Sequence, residues 1–386
     1  MLVVAVVSAA IVGLLVPVYA APPRDGLCSG LTGDALTRCL YSELDDRLRS
    51  LGSTPTASAT PTQTPTPTPR PTPTTSPTVA PVAGNLGMMV FLNPAEPAAF
   101  DRDLAALVET GSRWIRMGIP EGQAGSVTGD RWTPNTANMN YFESTVDKAD
   151  QAGLRIVLVL ANALNNNAWT DEQHRTYLGQ YVEHVSSRVG SQVDLWQVYN
   201  EHDGRDFRSY APVTLTSAYM ERLRLALVQA RTSLRRYSTA PLTTTAFGYP
   251  VNQARYDKWR TFFDGIGSAL DVIAIHAYPE RSATVIGLVP TYVRQLKQRY
   301  GKPVAVLEFG LPNVSGYGTP TQVGQAVVDQ IRAVMSAEPF CAALYQLRDR
   351  GTNTHDGEQM FGVLNTDWSR KSYYDAVVVE VKRWRA

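Results

Sequence analysis

Eight short apolar runs, separated by longer amphipathic stretches, constrain the fold of this chain more than any other feature. Most of the runs are rich in Val, Ile, Leu or Thr and do not alternate with polar residues, as expected of strands buried on both faces. They occupy residues 86–91, 114–118, 155–160, 193–199, 242–246, 272–276, 303–308 and 342–347. Eight strand–helix alternations predict a parallel sheet with helical crossovers.

Closure of this sheet into a barrel fits the pattern better than an open doubly wound sheet. The span 84–386 is close to the size of one (β/α)8 domain, typically about 250 residues and more with insertions. Several amphipathic stretches end at a glycine, for example Gly111 and Gly301. No Gly-rich phosphate-binding loop follows the first run, which argues against a dinucleotide-binding fold. We therefore predict an α/β fold: a (β/α)8 TIM barrel preceded by a short helical segment and a Pro/Thr-rich linker.

The sequence of residues 1–21 predicts a location outside the cytoplasm. They contain no charged side chain, and the apolar run ends in Val18-Tyr19-Ala20, which fits a small-x-small cleavage site. A signal peptide normally has Lys or Arg ahead of its apolar run, and none is present here. An uncleaved membrane anchor is the alternative, because about 20 apolar residues span a bilayer. Either interpretation predicts a protein that is secreted, or anchored to the outer face of the membrane through residues 1–21.

Two further segments precede the barrel. Residues 22–53 carry a leucine stripe at helical spacing, and Cys28 and Cys39 would form a disulfide in an oxidising compartment or remain unpaired thiols. Residues 54–83 form a Pro/Thr-rich segment in which Arg70 is the only charged side chain. Proline removes backbone donors and fixes φ, so this segment is predicted to be an extended linker. The catalytic region is expected at 84–386.

Composition excludes several function classes. The formal net charge is +1, so no basic field marks the chain as a nucleic-acid binder. Three cysteines are too few for a disulfide-built scaffold or a cysteine-rich metal site. The loop that contains His202, Asp203 and Asp206 matches no standard metal-ligand spacing. We expect a monomer with no cofactor, no metal ion and no nucleic-acid partner.

Candidate site residues come from the carboxyl ends of the runs, because barrel enzymes build their sites there. Two glutamates end the fourth and seventh runs, and parallel strands would deliver both to one face of the barrel. Paired carboxylates on one face can flank a glycosidic bond. The polar and aromatic side chains at these ends are Arg116, Asn200, Glu201, His276, Tyr278, Glu308 and Tyr345.

Four motifs resemble those of clan A glycoside hydrolases. Residues 196–201 read WQVYNE, residues 273–279 read IAIHAYP and residues 304–310 read VAVLEFG. Residues 361–364 read FGVL and are followed by the KSYY of 371–374. Together, in this order, they are similar to strands four, six and seven and the end of the barrel in that clan. The resemblance covers about residues 84–386 and extends to families 39, 5 and 128 without separating them.

The resemblance implies a catalytic role for both glutamates. Glu201 would be the general acid/base, with a pKa raised by burial and by the charge of Glu308. Glu308 would stay ionised and attack the anomeric carbon. A retaining enzyme would separate the two carboxyl groups by about 5–5.5 Å, so retention, with β-specific cleavage, is the expected outcome.

Other side chains receive supporting roles by the same reasoning. Arg116 would hold Glu308 ionised through a charge-assisted hydrogen bond, and Tyr278 would donate to Glu308. Asn200 would bond the sugar 2-hydroxyl, and His276 would contact the sugar or Glu201. Each also has a plain structural interpretation: a surface glutamate, an interstrand ion pair, or a hydrogen-bonded barrel residue.

The sequence also departs from the clan pattern. The eighth strand of the clan commonly ends in a Trp that forms a sugar platform, whereas here Tyr345 or a loop aromatic such as Trp368 would replace it. His202 follows the Asn-Glu pair where the clan usually has Pro. These changes bear on which carbohydrate substrate is bound more than on which reaction is catalysed. A non-catalytic glycan-binding protein, or a wall-associated surface protein on the same barrel, is the alternative to a secreted or surface-tethered retaining glycoside hydrolase.

Overall fold

The structure is a computed structural model that describes residues 84–160, 168–314, 316–353 and 356–385. The predictions for residues 1–21, for the segment 22–53 with Cys28 and Cys39, and for the linker at 54–83 lie outside the described residues. Within those residues, no helix combines the length and the apolarity needed to cross a membrane.

Eight parallel strands close into a barrel, which confirms the predicted (β/α)8 fold. Going round the barrel, the order is β1-β10-β9-β8-β7-β6-β5-β2, and every neighbouring pair is parallel. Each of the eight apolar runs overlaps one of these strands, and two of the strands extend one residue beyond their runs, to Asn200 and Phe309. The barrel strands are β1 (Leu86–Met89), β2 (Trp114–Gly118), β5 (Arg155–Leu160), β6 (Leu195–Asn200), β7 (Leu242–Ala246), β8 (Ile273–His276), β9 (Val304–Phe309) and β10 (Ala342–Leu344).

Helices cover the outside of the barrel, and local sequence sets their ends. Thr170 and Thr319 each open a helix with a capping box, in which the threonine side chain and a glutamine three residues later satisfy backbone groups reciprocally. Gly301 ends a helix at φ 59°, a conformation that glycine adopts without steric cost. The helices are α1 (Pro97–Thr110), α2 (Glu121–Ala124), α3 (Thr136–Gln151), α4 (Asp171–Val189), α5 (Ser217–Leu234), α6 (Gln253–Ile266), α7 (Ala283–Tyr300), α8 (Pro320–Met335) and α9 (Tyr374–Arg383).

A β-hairpin interrupts the strand–helix alternation after the second barrel strand. Strands β3 (Gly125–Thr128) and β4 (Arg131–Pro134) pair antiparallel around Gly129, whose φ is 65°. The backbone N–H of Trp132 donates to Gln180 on α4, which ties the hairpin to the outer helices. The sequence analysis missed this element because its strands are short and mostly polar, although Gly129-Asp130 is a turn signal.

The buried residues form two layers. The larger cluster lies mainly between the strands and the surrounding helices. A second, smaller cluster takes one or two side chains from each of several strands and includes Trp114, Leu195 and Ala274. Side chains two residues apart on a strand share a face, so Arg116, Gln197 and His276 follow these three toward the carboxyl ends of their strands. This apolar cluster therefore forms the floor beneath the polar side chains at the barrel mouth.

The closeness of strands β1 and β2 gives a stability prediction. A Cβ added at Gly87 would meet the backbone oxygen of Trp114 at 1.9 Å, whereas one added at Gly122 would meet nothing within 4 Å. We expect Gly87→Ala to lower the free energy of unfolding by at least about 1–3 kcal/mol, because the clash is with backbone that cannot rotate away. Gly122→Ala is the matched control and should leave stability unchanged or slightly higher. Chemical unfolding of both variants measures the difference, and equal stability would contradict the tight seam.

Candidate active site

The carboxylates of Glu201 and Glu308 meet at the mouth of the barrel. Glu201 directly follows β6 and Glu308 lies in β9, at the carboxyl end of its strand. One oxygen of each carboxylate and a ring nitrogen of His276 all lie within 4.8 Å of one another. The structure therefore brings together the two glutamates that the sequence singled out, with His276 between them.

Irregular strand pairing points both glutamates toward each other. Gln197 pairs with Thr243 and Asn200 pairs with Thr245, so β6 has one extra residue relative to β7. On β9 the register shifts in the same way between Val306 and Glu308. A β-bulge of this kind reverses which face the following side chains occupy. Both bulges fall immediately before a glutamate.

The backbone around the first glutamate is held in an uncommon conformation. Tyr199 and Glu201 have φ values of 67° and 60°, in the left-handed region that non-glycine residues seldom occupy. Such residues cost about 1–3 kcal/mol each and persist where the surrounding structure determines them. The backbone N–H of Glu201 is held by Thr245 on β7, through the carbonyl at 3.1 Å and the hydroxyl at 3.3 Å.

Glu308 is surrounded by groups that stabilise its negative charge. Arg116 Nη1 donates to Oε1 at 2.7 Å, Tyr278 OH donates to Oε2 at 2.5 Å, and His276 Nδ1 lies 3.3 Å from Oε2. Burial alone would raise the pKa of Glu308. The charges of His276 and Arg116 and the hydrogen bonds from Tyr278 and Arg116 outweigh burial and bring that pKa below its ordinary value. Glu308 is therefore an ionised carboxylate at neutral pH.

Glu201 sits in the opposite electrostatic environment. His276 Nδ1 lies 2.6 Å from its Oε1, and 27% of the Glu201 side chain is exposed, against 9% for Glu308. Desolvation raises the pKa of Glu201. His276 opposes this shift, and the negative charge of Glu308 adds to it, so the pKa lies above its ordinary value. Two neighbouring carboxyl groups with pKa values shifted in opposite directions are suited to acid and nucleophile roles.

Asn200 presents its amide to the cleft in a fixed orientation. Its Oδ1 accepts hydrogen bonds from Arg116 Nη2 at 2.9 Å, Gln197 Nε2 at 2.8 Å and Thr245 Oγ1 at 3.1 Å. Gln197 and Thr245 are absent from the sequence-based site because they lie inside strands rather than after them. A polar residue within an apolar strand, as in the WQVYN of β6, was the available signal.

Tyr345 lies beside the pair without contacting it. Its ring packs edge-on against Phe91, Tyr278 and Phe361, with centroids 5.1–6.3 Å apart, and its hydroxyl lies 3.4 Å from Glu358. The residue is only 6% exposed, so its largest contribution is to hold the Tyr278 ring. A sugar platform at Tyr345 stays a prediction.

Trp368 is engaged by other protein groups. Its indole Nε1 donates to Asp103 at 2.7 Å, and the guanidinium carbons of Arg102 and Arg348 lie 3.6 and 4.3 Å from its ring centroid. Arg348 also pairs with Asp103 through two hydrogen bonds. These contacts anchor the loop after β10 to α1, and they occupy the surfaces that a stacked sugar would need. Substrate binding by Trp368 stays a prediction with no contact to the glutamate pair behind it.

A cavity of about 230 Å³ lies between the end of β1, α1 and the loop after β10. Its lining includes Met89, Phe91, Glu96, Arg348 and Arg350. Met89 lines this cavity and also contacts the site, because its sulfur lies 2.8 Å from Arg116 Nη1.

Glu201, His276 and Glu308 are also the described residues whose donor atoms are grouped closely enough to ligate a metal ion. The same atoms already take part in hydrogen bonds: Glu308 with Arg116 and Tyr278, and His276 with Glu201. The arrangement can therefore move protons between the three groups as it stands.

The buried ion pair of Arg116 and Glu308 predicts a pH-dependent stability. Arg116 is 1% exposed, and its removal leaves a buried carboxylate that only Tyr278 and His276 can stabilise. We expect Arg116→Met to cost about 3–5 kcal/mol at neutral pH. In wild type the pKa of Glu308 is lowered on folding, so its contribution exists above the unfolded value and fades as pH falls. In the variant Arg116 no longer stabilises the charge of Glu308, so the pKa of Glu308 should be higher than in wild type, and the difference in unfolding free energy between the two proteins should narrow as pH is lowered.

The double variant Arg116→Met/Glu308→Gln is the control for this prediction. It replaces the unpaired carboxylate by a neutral amide and should recover most of the stability lost in Arg116→Met. Urea unfolding at neutral pH and near pH 4, below the ordinary pKa of a glutamate, measures the free energy of unfolding of each protein. A gap between wild type and Arg116→Met that stays constant with pH would show that the loss does not arise from Glu308.

Comparison with known proteins shows what this part of the chain is similar to. The family model described as the glycosyl hydrolase catalytic core matches residues 182–361, which include both glutamates, Asn200, His276 and Tyr278. No curated protein sequence matches the chain.

Solved structures share the fold of this chain. Fpglu1 from Fervidobacterium pennivoraus aligns with a TM-score of 0.57 at 14% identity, covering 76% of this chain and 84% of that one. The β-glycosidase from Thermosphaera aggregans aligns with a TM-score of 0.55 at 13% identity, covering 76% and 88%. A family 39 glycoside hydrolase from Bacteroides cellulosilyticus WH2 aligns with a TM-score of 0.57 at 17% identity, covering 77% and 63%. The predicted resemblance to clan A (β/α)8 glycoside hydrolases is thereby confirmed: residues 182–361 are similar to the glycosyl hydrolase catalytic core, and these solved structures share the barrel fold, without separating the families of that clan.

Proposed function

We propose that this protein hydrolyses O-glycosidic bonds of a polysaccharide or oligosaccharide by a retaining double displacement. The observation that carries the proposal is the pair Glu201 and Glu308, adjacent in space but with pKa values shifted in opposite directions. Breaking an acetal requires a proton for the leaving oxygen and stabilisation of an oxocarbenium-like centre. One protonated and one ionised carboxyl group supply both.

Glu201 is the proposed general acid. Its raised pKa keeps a proton available, and its partial exposure gives the leaving oxygen access to the carboxyl group. As the bond to the leaving group breaks, this proton moves to the departing oxygen and Glu201 becomes a carboxylate next to His276. In the second step the same carboxylate takes a proton from water.

Glu308 is the proposed nucleophile. An oxygen of its carboxylate attacks the anomeric carbon as the leaving group departs, forming a glycosyl ester, which water activated by Glu201 then hydrolyses. Tyr278 can remain a donor throughout, because burial and then the charge of Glu308 raise its pKa well above the usual range. Arg116 holds the other oxygen and limits the rotation of the carboxylate.

The spacing of the pair supports retention of configuration. Inverting enzymes separate their carboxyl groups by about 6.5–9.5 Å to admit a water molecule, whereas retaining enzymes use about 5–5.5 Å. Oxygens of Glu201 and Glu308 within 4.8 Å leave no space for a water between carboxylate and sugar. Two successive inversions at the anomeric carbon restore its configuration.

Substrate class and location form the remainder of the proposal. Several solved neighbours are described as β-glucosidases or β-glycosidases, which supports β-linked substrates for this chain. Residues 1–21 support secretion or anchoring to the outer face of the membrane, and the Pro/Thr-rich segment supports a spacer between that end and the barrel. We propose that the protein acts as a monomer on glycans outside the cytoplasm.

Substitution of each glutamate tests the mechanism. Glu308→Gln should abolish turnover, because an amide cannot form the glycosyl ester. Glu201→Ala should lose most activity on substrates with basic leaving groups and much less on activated aryl glycosides, since proton assistance matters less there. Azide should then rescue Glu201→Ala by attacking the glycosyl ester, giving a β-azide product detectable by NMR.

Stereochemistry of the wild-type product is the accompanying control. Proton NMR during early turnover should show the β anomer released first from a β-glycoside. Release of the α anomer, or near-normal rates for Glu308→Gln, would refute the assignment. Binding of a glycan panel without cleavage of any member would favour the non-catalytic alternative.

Tyr278→Phe tests, through the pH–rate profile, whether the Tyr278 hydroxyl lowers the pKa of Glu308. Activity requires ionised Glu308, so the acid limb of kcat/KM follows its pKa. The Tyr278 hydrogen bond lowers that pKa, and its removal should move the acid limb to higher pH. Tyr181→Phe is the matched control: Tyr181 is also buried, but its hydroxyl donates to the backbone of Ile119. An acid limb unmoved by Tyr278→Phe would contradict the role of this hydroxyl.

A further inference from the structure

Gln197 forms a junction between the environments of the two glutamates. It is 0% exposed, and its Oε1 accepts from Arg116 Nε at 2.9 Å. Its Nε2 lies within hydrogen-bond distance of the Tyr199 carbonyl at 3.0 Å, Asn200 Oδ1 at 2.8 Å and Thr245 Oγ1 at 3.2 Å. A buried amide with this many partners has one sterically and electrically acceptable orientation.

The orientation of Gln197 fixes that of Asn200. Three donors, from Arg116, Gln197 and Thr245, converge on Asn200 Oδ1. Turning the Asn200 amide over would place its N–H groups against these donors. Among the described residues no hydrogen bond uses Asn200 Nδ2, and the residue is only partly buried at the barrel mouth. Asn200 therefore offers a donor, and never an acceptor, on its substrate side.

Building on the function proposed above, we propose that Gln197 and Thr245 are positioning residues that lock Asn200 as a hydrogen-bond donor. Because the resemblance implies that Asn200 meets the sugar 2-hydroxyl, Gln197 and Thr245 act on the reaction through that contact. A 2-hydroxyl accepts from this donor, whereas a 2-deoxy sugar leaves the Asn200 amide without its partner. A 2-ammonium group offers only N–H donors to another donor and is disfavoured.

The chemistry of position 197 explains why a glutamine is needed. A glutamate there would accept from Arg116 but would have no N–H to donate to Asn200 Oδ1. It would also place a second carboxylate against Arg116, in competition with Glu308. An apolar residue would leave Arg116 Nε buried without a partner. Glutamine accepts on one side and donates on the other, as the junction requires.

Two threonines on one strand provide a matched test. Thr243 and Thr245 are both fully buried on β7, but Thr243 Oγ1 donates to the backbone of Val272, whereas Thr245 Oγ1 donates to Asn200. Rates are measured for wild type, Gln197→Met, Thr245→Val and Thr243→Val on the best-cleaved 4-nitrophenyl glycoside and on its 2-deoxy counterpart. Gln197→Met and Thr245→Val should lose about tenfold more kcat/KM on the 2-hydroxy substrate than on the 2-deoxy substrate, because any loss that acts through Arg116 or Glu201 is common to both substrates. Thr243→Val should leave both rates unchanged.

Equal losses on both substrates, or equal effects of the two threonine changes, would overturn the positioning role. Failure of the proposed function gives a different result, because wild type would then cleave no glycoside. Crystal structures of wild type and Gln197→Met provide a readout that needs no turnover. Asn200 Oδ1 should contact Arg116 in wild type and should rotate or shift away in the variant. An Asn200 side chain that stays in place without Gln197 would overturn the inference.

Discussion

The guanidinium of Arg116 is the interaction on which the rest of the site depends. It is buried, and each of its nitrogens has a defined acceptor: Nη1 on Glu308, Nη2 on Asn200 and Nε on Gln197. The guanidinium is planar and its donors point in fixed directions, so it determines where each acceptor lies. Its positive charge also favours the ionised form of Glu308. Arg116 on β2 therefore sets the positions of Gln197 and Asn200 on β6 and of Glu308 on β9.

The charge of Arg116 also makes the pKa values of the two glutamates differ, although both groups are carboxyls. Both are desolvated, which by itself would raise the pKa of each carboxyl group. Glu308 is next to Arg116 and Tyr278, whereas Glu201 has His276 as its partner and faces the charge of Glu308. The division follows from which strand each glutamate ends, because Arg116 reaches only one of them. The strand on which each glutamate lies therefore determines its partners, and those partners determine its pKa.

The sequence was sufficient for the architecture and for the ends of the strands. The eight apolar runs predict where every barrel strand lies, and the side chains toward their carboxyl ends include Arg116, Glu201, His276, Tyr278 and Glu308. The sequence could not reveal the bulges, since one extra residue in a strand leaves no trace in an apolar run. It also missed side chains within strands, such as Gln197 and Thr245, which became visible only through their partners. Trp368, named from its place in a loop, has Asp103 and two arginines as its contacts.

The bulge on β9 has a consequence for how chemistry and folding are related in this barrel. Ala305 and Leu307 belong to the inner cluster, so strict alternation would turn Glu308 toward the helices, and the irregular pairing before Glu308 keeps its carboxylate at the barrel mouth. A glutamate at this position is therefore not sufficient for the site. A barrel with the same residues but regular pairing at this point would carry the same carboxyl group on the wrong face.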